Sequence, residues 1–148
     1  LNKLNKYEKV RDYSVGLITA YNAQYQRLRS KIRNWNLNNI RNWKSKQDEE
    51  KFTISVIDRF QGLERDVVIV DLVKSGANLD LGFLETPNRI NVGLSRQKKL
   101  LLIVGDYYGL INAKTKRCNG DKCALQKYLA MIPKECVIKT NELNTFFK

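Results

Sequence analysis

The stretch "FTISVIDRFQGLERDVVIVDLV" sets a dense polar cluster, Asp58 to Asp66, between two apolar runs. A plain surface turn needs only about two to five residues and little chemistry. Here acids, bases and the amide of Gln61 surround one glycine, Gly62. Either this is a solvated connection or it holds something charged. A second charged pair lies in "TPNRINVGLSRQKK", where Arg89 and Arg96 stand seven residues apart. On a continuous helix that spacing is two turns, about 10 Å along one face. Two guanidinium groups on one face suit bidentate recognition of phosphate, and Gly93 between them would admit a close neighbour. The simpler reading of such a pair is a solvated helix face.

The elements that must hold these residues can be read from apolar patterning. "YSVGLITAY" (13–21) reads as a buried strand, followed by a helical pattern from Asn22 with Leu28 and Ile32 four apart. "FTISVI" (52–57), "DVVIVDLV" (66–73) and "LLLIVG" (100–105) read as further strands. The near-continuous apolar run of 66–73 predicts burial on both faces, hence a parallel sheet covered by helices, and 100–105 reads as a further buried strand. Thr86 and Pro87 predict a capped helix entry. "DKCALQKYLAMI" (121–132) predicts a helix stopped by Pro133, and "CVIK" (136–139) a short last strand. Alternation of strands and helices gives an α/β fold with a mostly parallel sheet flanked by helices. Ligands of such sheets sit beyond the carboxyl ends of the strands, where Tyr21 and the polar cluster after Ile57 are expected.

Charge points the same way. The chain carries 27 Lys and Arg against 15 Asp and Glu, a net +12. That excess favours a polyanionic partner, through counterion release from phosphates. Between Asn22 and Gln47 there are seven basic residues and no acid, with Trp35 and Trp43 among them. "RNWNLNNIRNW" places Arg33 and Arg41 beside those rings, a pattern able to follow a single strand. Its bland counterpart is a solvated helix whose tryptophans pack inward.

No histidine occurs, and the cysteines number three: Cys118, Cys123 and Cys136. A four-ligand zinc site would need a carboxylate or another chain, and the odd count argues against a disulfide framework. No metal centre is expected, and an intracellular, cytoplasmic setting is. No run approaches 18 apolar residues, so no membrane span is expected. The chain opens on Leu1 rather than Met, so a piece of a longer protein is expected.

"LITAYNAQ", then "VIDRFQGLERDVVIV", then "GFLETPNRINVGLSRQKKLLLIVGD", in this order, resemble the second RecA-like domain of superfamily 1 helicases. The nearest branch is that of the nonsense-mediated-decay and Okazaki-flap helicases. The resemblance runs from about residue 13 to 106, within a motif-bearing core of about 13–112 of a domain spanning 1–148; residues 113–148, a helix and a short strand by pattern, match no motif. It implies ATP with Mg²⁺ as cofactor, single-stranded nucleic acid as partner with DNA placed ahead of RNA, and a first RecA-like domain in the same protein. It also implies roles. Tyr21 and Gln24 belong to the adenine side. Gln61, Gly62 and Glu64 face the nucleotide, and Arg96 is an arginine finger with Arg89 as its support. Ser55 and Asp58, with Arg33 and Arg41, become candidate strand contacts. Ala20, Val56 and Gln97 depart from the family pattern. Val56 stands where a strand-contacting Thr is usual, and Ser55 or Thr53 would have to replace it. No G-x-x-x-x-G-K-[ST] loop occurs in this sequence, so this chain alone is expected to be inactive. The alternative is a RecA-like binding module with no working ATPase.

Overall fold

The computed structural model describes residues 13–39, 51–76, 79–118 and 121–146, with the backbone alone at 33–39 and 144–146. Four strands form one sheet: β1 (Val15–Thr19), β2 (Phe52–Val56), β3 (Arg65–Asp71) and β4 (Gln97–Val104). Their order is β2-β1-β3-β4 and every pairing is parallel. Parallel neighbours need crossover connections, which the helices supply. Helix α1 (Asn22–Asn39) joins β1 to β2 and packs on both. The link from β2 to β3 is shorter. A 3-10 turn, Ile57–Phe60, crosses β1 and delivers the polar cluster to the start of β3. Between β3 and β4 lie a second 3-10 turn (Gly82–Glu85) and helix α2 (Pro87–Leu94). Helices α3 (Tyr107–Ile111), α4 (Ala124–Met131) and α5 (Thr140–Phe146) follow.

The core lies on one face of the sheet, where Ile18, Val68, Val70 and Leu72 meet Phe60, Leu84, Ile90, Leu94, Leu125 and Leu129. Alternation along β3 dictates which residues point there. Burying each such side chain contributes about 1.5–3 kcal/mol. The Phe60 ring presses on Gly16 of β1, and a Cβ at Gly16 would stand 2.7 Å from Phe60 Cζ. A glycine in β1 is therefore a packing requirement of the turn that carries the polar cluster.

Three expectations are corrected. The run "LLLIVG", expected as a buried strand, is covered on one face only. As β4 it is the edge strand; Leu101 and Ile103 pack on the core, while Leu100, Leu102 and Val104 stay 47%, 40% and 55% exposed. The segment at Cys136 forms no strand. Lys134–Cys136 is a 3-10 turn and residues 137–139 pair with no strand among the described residues. Finally, α2 ends at Leu94 with Ser95 as its C-cap, so Arg96 is not on the helix that carries Arg89.

Candidate functional site

The site residues fall into two groups, at opposite ends of the parallel strands. Helix α2 runs between them.

The first group gathers at the carboxyl ends. Tyr21 follows β1, Asp71 ends β3, and Gln24 in the first turn of α1 donates from Nε2 to Asp71 Oδ2 at 2.7 Å. This bond ties the helix start to a strand two positions along the chain order. The Tyr21 ring lies 6.0 Å from that of Phe83, tilted by 45°. Over Phe83 sits Arg89, its Cζ 3.5 Å from the ring centroid. Arg89 Nε donates to Asp58 Oδ1 at 3.0 Å. On the other side Lys74 Nζ stands 5.6 Å from the Tyr21 centroid. Cations over ring faces are held by the ring quadrupole. The result is a ladder, Lys74–Tyr21–Phe83–Arg89–Asp58, drawn from five separate parts of the fold.

The backbone that presents Lys74 is strained. Val73 has φ 65°, a left-handed conformation that a β-branched residue seldom adopts. Asp71 Oδ1 accepts from Val73 N–H at 3.0 Å, and Lys74 N–H bonds back to the Leu72 carbonyl at 2.6 Å. The Tyr21 hydroxyl is buried without a hydrogen-bond partner among the described residues. Its pKa is pushed up, first by burial and then by the Asp80 charge.

The second group lies at the amino ends of β3 and β4, so only Asp58, at the start of the polar cluster, is at the carboxyl end expected for the whole of it; the turn Ile57–Phe60 carries the rest across β1. Gly62 turns at φ 82°, with nothing near the place a Cβ would occupy, so its requirement is conformational. Glu64 precedes β3 and reaches Lys98 Nζ at 4.0 Å. Arg96 lies between α2 and β4, and its carbonyl accepts from Arg65 N–H at 3.1 Å. Arg65 in turn donates to Thr53 Oγ1 and to the Glu64 carbonyl, both at 2.8 Å. Three buried polar atoms here find no partner among the described residues: Arg65 Nε, Arg96 Nε and Gln97 Oε1. Unpaired buried N–H groups are costly, and a cluster of them marks a place where water or a ligand completes the bonding.

The structure thus brings Gln61, Gly62, Glu64 and Arg96 to one end and Tyr21, Gln24, Asp58 and Arg89 to the other. Ser55 is buried in β2 and donates to the Val56 carbonyl at 3.2 Å, while Thr53 accepts from Arg65. Arg33 belongs to α1, and Arg41 lies outside the described residues. Thr86 occupies the N-cap of α2 but makes no capping bond; its hydroxyl accepts from Arg117 Nη1 at 3.4 Å. Cys123 is buried, Cys118 half-buried, and the Cys118 thiol is pushed up chiefly by burial. Among the described residues no three His, Cys, Asp or Glu side chains gather as a metal site, and no helix is long and apolar enough to cross a membrane.

Sequence reading missed Phe83, Lys74 and Glu85. Glu85 is 2% exposed and accepts from the Lys116 and Arg117 backbone N–H groups at 3.0 and 2.8 Å. The signal was an acid set among Leu81, Phe83 and Leu84. Such an acid needs internal donors, and the structure supplies them from the unassigned segment after α3.

Residues 1–108 match the AAA domain family. The chain is similar to the "DNA polymerase alpha-associated DNA helicase A" of Saccharomyces cerevisiae, 37% identical over 100 residues, covering 66% of this chain and 13% of that protein. It is similar to the "Regulator of nonsense transcripts 1 homolog" of Neurospora crassa, 33% identical over 119 residues, 74% of this chain and 10% of that protein. The "Regulator of nonsense transcripts 1" of Caenorhabditis elegans is 36% identical over 97 residues, 66% of this chain and 8% of that protein. The chain therefore spans about a tenth of the length of these relatives. With the all-parallel sheet and the ordered motifs, these matches show that the chain belongs to the AAA domain family and is a second RecA-like domain of the superfamily 1 helicases, in the branch of the nonsense-transcript regulators.

Proposed function

We propose that this chain is the C-terminal motor domain of an ATP-dependent helicase or translocase, completing an ATP site with Arg96 and tracking single-stranded nucleic acid. The observation that supports it best is the amino-end cluster. Arg96 Nε is buried without a partner among the described residues, and the Arg96 carbonyl holds Arg65, which follows Glu64 and the left-handed Gly62 in the chain. A phosphate oxygen arriving there would satisfy that N–H. In a site shielded from water, a guanidinium of this kind stabilises charge on the transferred phosphoryl group, an effect worth about 10³- to 10⁵-fold in rate.

The donor set fits ATP in part. Arg96, Gln61 and the Gly62 backbone suit phosphates, and Glu64 suits a sugar hydroxyl. When bound, ATP with Mg²⁺ supplies the phosphoryl group to be transferred and the charge that polarises it. The acids for Mg²⁺ and the phosphate loop belong to a first RecA-like domain. This chain's own contribution is to orient the nucleotide and meet the charge that develops on it. Tyr21, Gln24 and Arg89 contribute from the carboxyl end, with Asp58 fixing Arg89. Arg33, Arg41 and the net +12 supply attraction for a single strand, DNA ahead of RNA.

The test is nucleic-acid-stimulated ATP hydrolysis by the full-length parent protein, wild type against Arg96→Ala. Stimulated turnover that falls about 10³-fold or more, with ATP binding retained, supports the finger role. Turnover close to wild type refutes it. No turnover in either protein, with strand binding intact, identifies a binding module.

A further inference from the structure

We infer that Phe83 and Asp58 are positioning residues that hold Arg89 as a preset phosphate-binding fork at the carboxyl end of the sheet. The inference rests on the reading of this domain as one that meets nucleotide or nucleic-acid phosphates, and it adds two residues whose role would be exerted through a third.

The geometry constrains Arg89 twice. The Phe83 ring fixes the plane of the guanidinium, 3.5 Å from Cζ to the centroid. Asp58 fixes its rotation within that plane through the 3.0 Å bond from Nε. Among the described residues Asp58 is the only hydrogen-bond partner of Arg89, so the edge formed by its two Nη groups is uncommitted. That edge is the one that binds two oxygens of a phosphate side by side. The Arg89 side chain keeps 36% of its surface, which leaves it reachable.

The supports are themselves fixed. Phe83 leans on Tyr21 and belongs to a 3-10 turn in which Leu84 and Glu85 are buried. Glu85 is tied to the backbone at Lys116 and Arg117. Asp58 sits in a turn whose Ile57 and Phe60 are buried in the core. An arginine normally loses much rotamer freedom when it binds an anion; one already stacked and hydrogen-bonded loses less.

The phosphate could be that of a nucleotide or of a single strand, and two arms separate them. With the full-length parent protein, one arm reads KM for ATP and kcat at saturating oligothymidylate. The other reads the dissociation constant of labelled oligothymidylate without nucleotide, over a range of salt. The variants are Phe83→Leu, Phe83→Tyr, Arg89→Ala and the double variant Phe83→Leu/Arg89→Ala. Expected is a loss of about ten-fold for Phe83→Leu in one arm, recovery with Phe83→Tyr, and no more than about two-fold further loss when Phe83→Leu is added to Arg89→Ala. A rise in KM assigns the nucleotide. A weaker strand affinity, with a salt slope smaller by about one for Arg89→Ala, assigns the strand.

The inference is overturned if Phe83→Leu changes neither arm. It is equally overturned if its effect is undiminished in the Arg89→Ala background, which would make Phe83 a packing residue. Thermal unfolding of each variant separates loss of fold from loss of binding. Failure of the motor reading shows elsewhere, in Arg96→Ala turnover. A protein without turnover still reports the Phe83–Arg89 coupling in the strand arm.

Discussion

Replacing Glu85 by Gln tests whether the segment after α3, which no motif covers, is part of the domain. The two side chains have nearly the same shape, so packing is preserved. In the native structure each carboxyl oxygen accepts one backbone N–H, from Lys116 at 3.0 Å and Arg117 at 2.8 Å, and the residue is 2% exposed. Gln keeps one acceptor and turns an N–H₂ toward the other backbone donor. A hydrogen bond to a charged group contributes about 1.5–3 kcal/mol, and a buried donor left unpaired costs about 1–3 kcal/mol. The two overlap, so the expected loss is roughly 2–4 kcal/mol. For a domain of this size each kcal/mol moves the unfolding midpoint by about 2–4 °C, which gives a fall of roughly 5–15 °C. The assay is thermal unfolding followed by circular dichroism, with hydrogen exchange at the Lys116 and Arg117 amides. Those amides should lose protection before the strands do. A midpoint within about 2 °C of wild type, with both amides still protected, would show that Glu85 does not anchor the segment.

Three further outcomes follow from single contacts. Gly16→Ala sets a Cβ 2.7 Å from Phe60 Cζ and should destabilise by about 1–3 kcal/mol in denaturant titration; a neutral result would mean that the turn under Gln61 and Gly62 can shift freely. Asp66 accepts from the Ser14 backbone and hydroxyl and faces Lys99, and these contacts lower its pKa. A lowered folded-state pKa contributes stability that is present above the usual carboxylate range and is lost as pH falls through the folded value. Asp66→Asn should therefore be less stable than wild type near neutrality, with the gap closing in acid; a gap that persists unchanged at low pH would refute the assignment. Gln126→Leu strands the carbonyls of Leu110, Ile111 and Ala113, which share the Gln126 Nε2 at 2.9–3.2 Å, and should cost about 2–4 kcal/mol by the same unfolding assay; no loss would mean that water replaces the amide.

The strands were legible because apolar runs of β-branched residues have few other uses. The position of β4 at the edge was not, since "LLLIVG" reads alike whether one face or both are covered. A helix from Asn22, the parallel sheet and the family follow from the sequence; the strand at "CVIK" does not form. Glu85 and Gln126 could have been suspected as polar residues inside apolar patterns, but their partners are backbone groups, and backbone groups leave no mark in a sequence. The same holds for Arg89. Its spacing says nothing of Phe83, six residues before it, because the stack depends on the 3-10 turn that lifts the ring over α2.

The two arginines show how a correct motif can carry a wrong local picture. Seven residues on a helix would set Arg89 and Arg96 on one face, and a single phosphate chain would then lie along it. Helix α2 instead stops at Leu94, with the Ser95 hydroxyl bonded back to the Asn91 carbonyl at 2.6 Å. Arg96 is turned into the start of β4 beside Arg65, while Arg89 stays with Asp58 and Phe83. Among the described residues, one end of α2 therefore presents an arginine bonded only through Nε, and the other an arginine whose buried Nε has no partner. The helix between them packs on the turn Ile57–Phe60, and that turn carries Asp58 at one end and leads into Gln61 and Gly62 at the other. A shift of this turn along β1 would move a support of Arg89 and the loop beside Arg96 together. Gly16 fixes how far it can shift, because the Phe60 ring already fills the space where a Cβ would be.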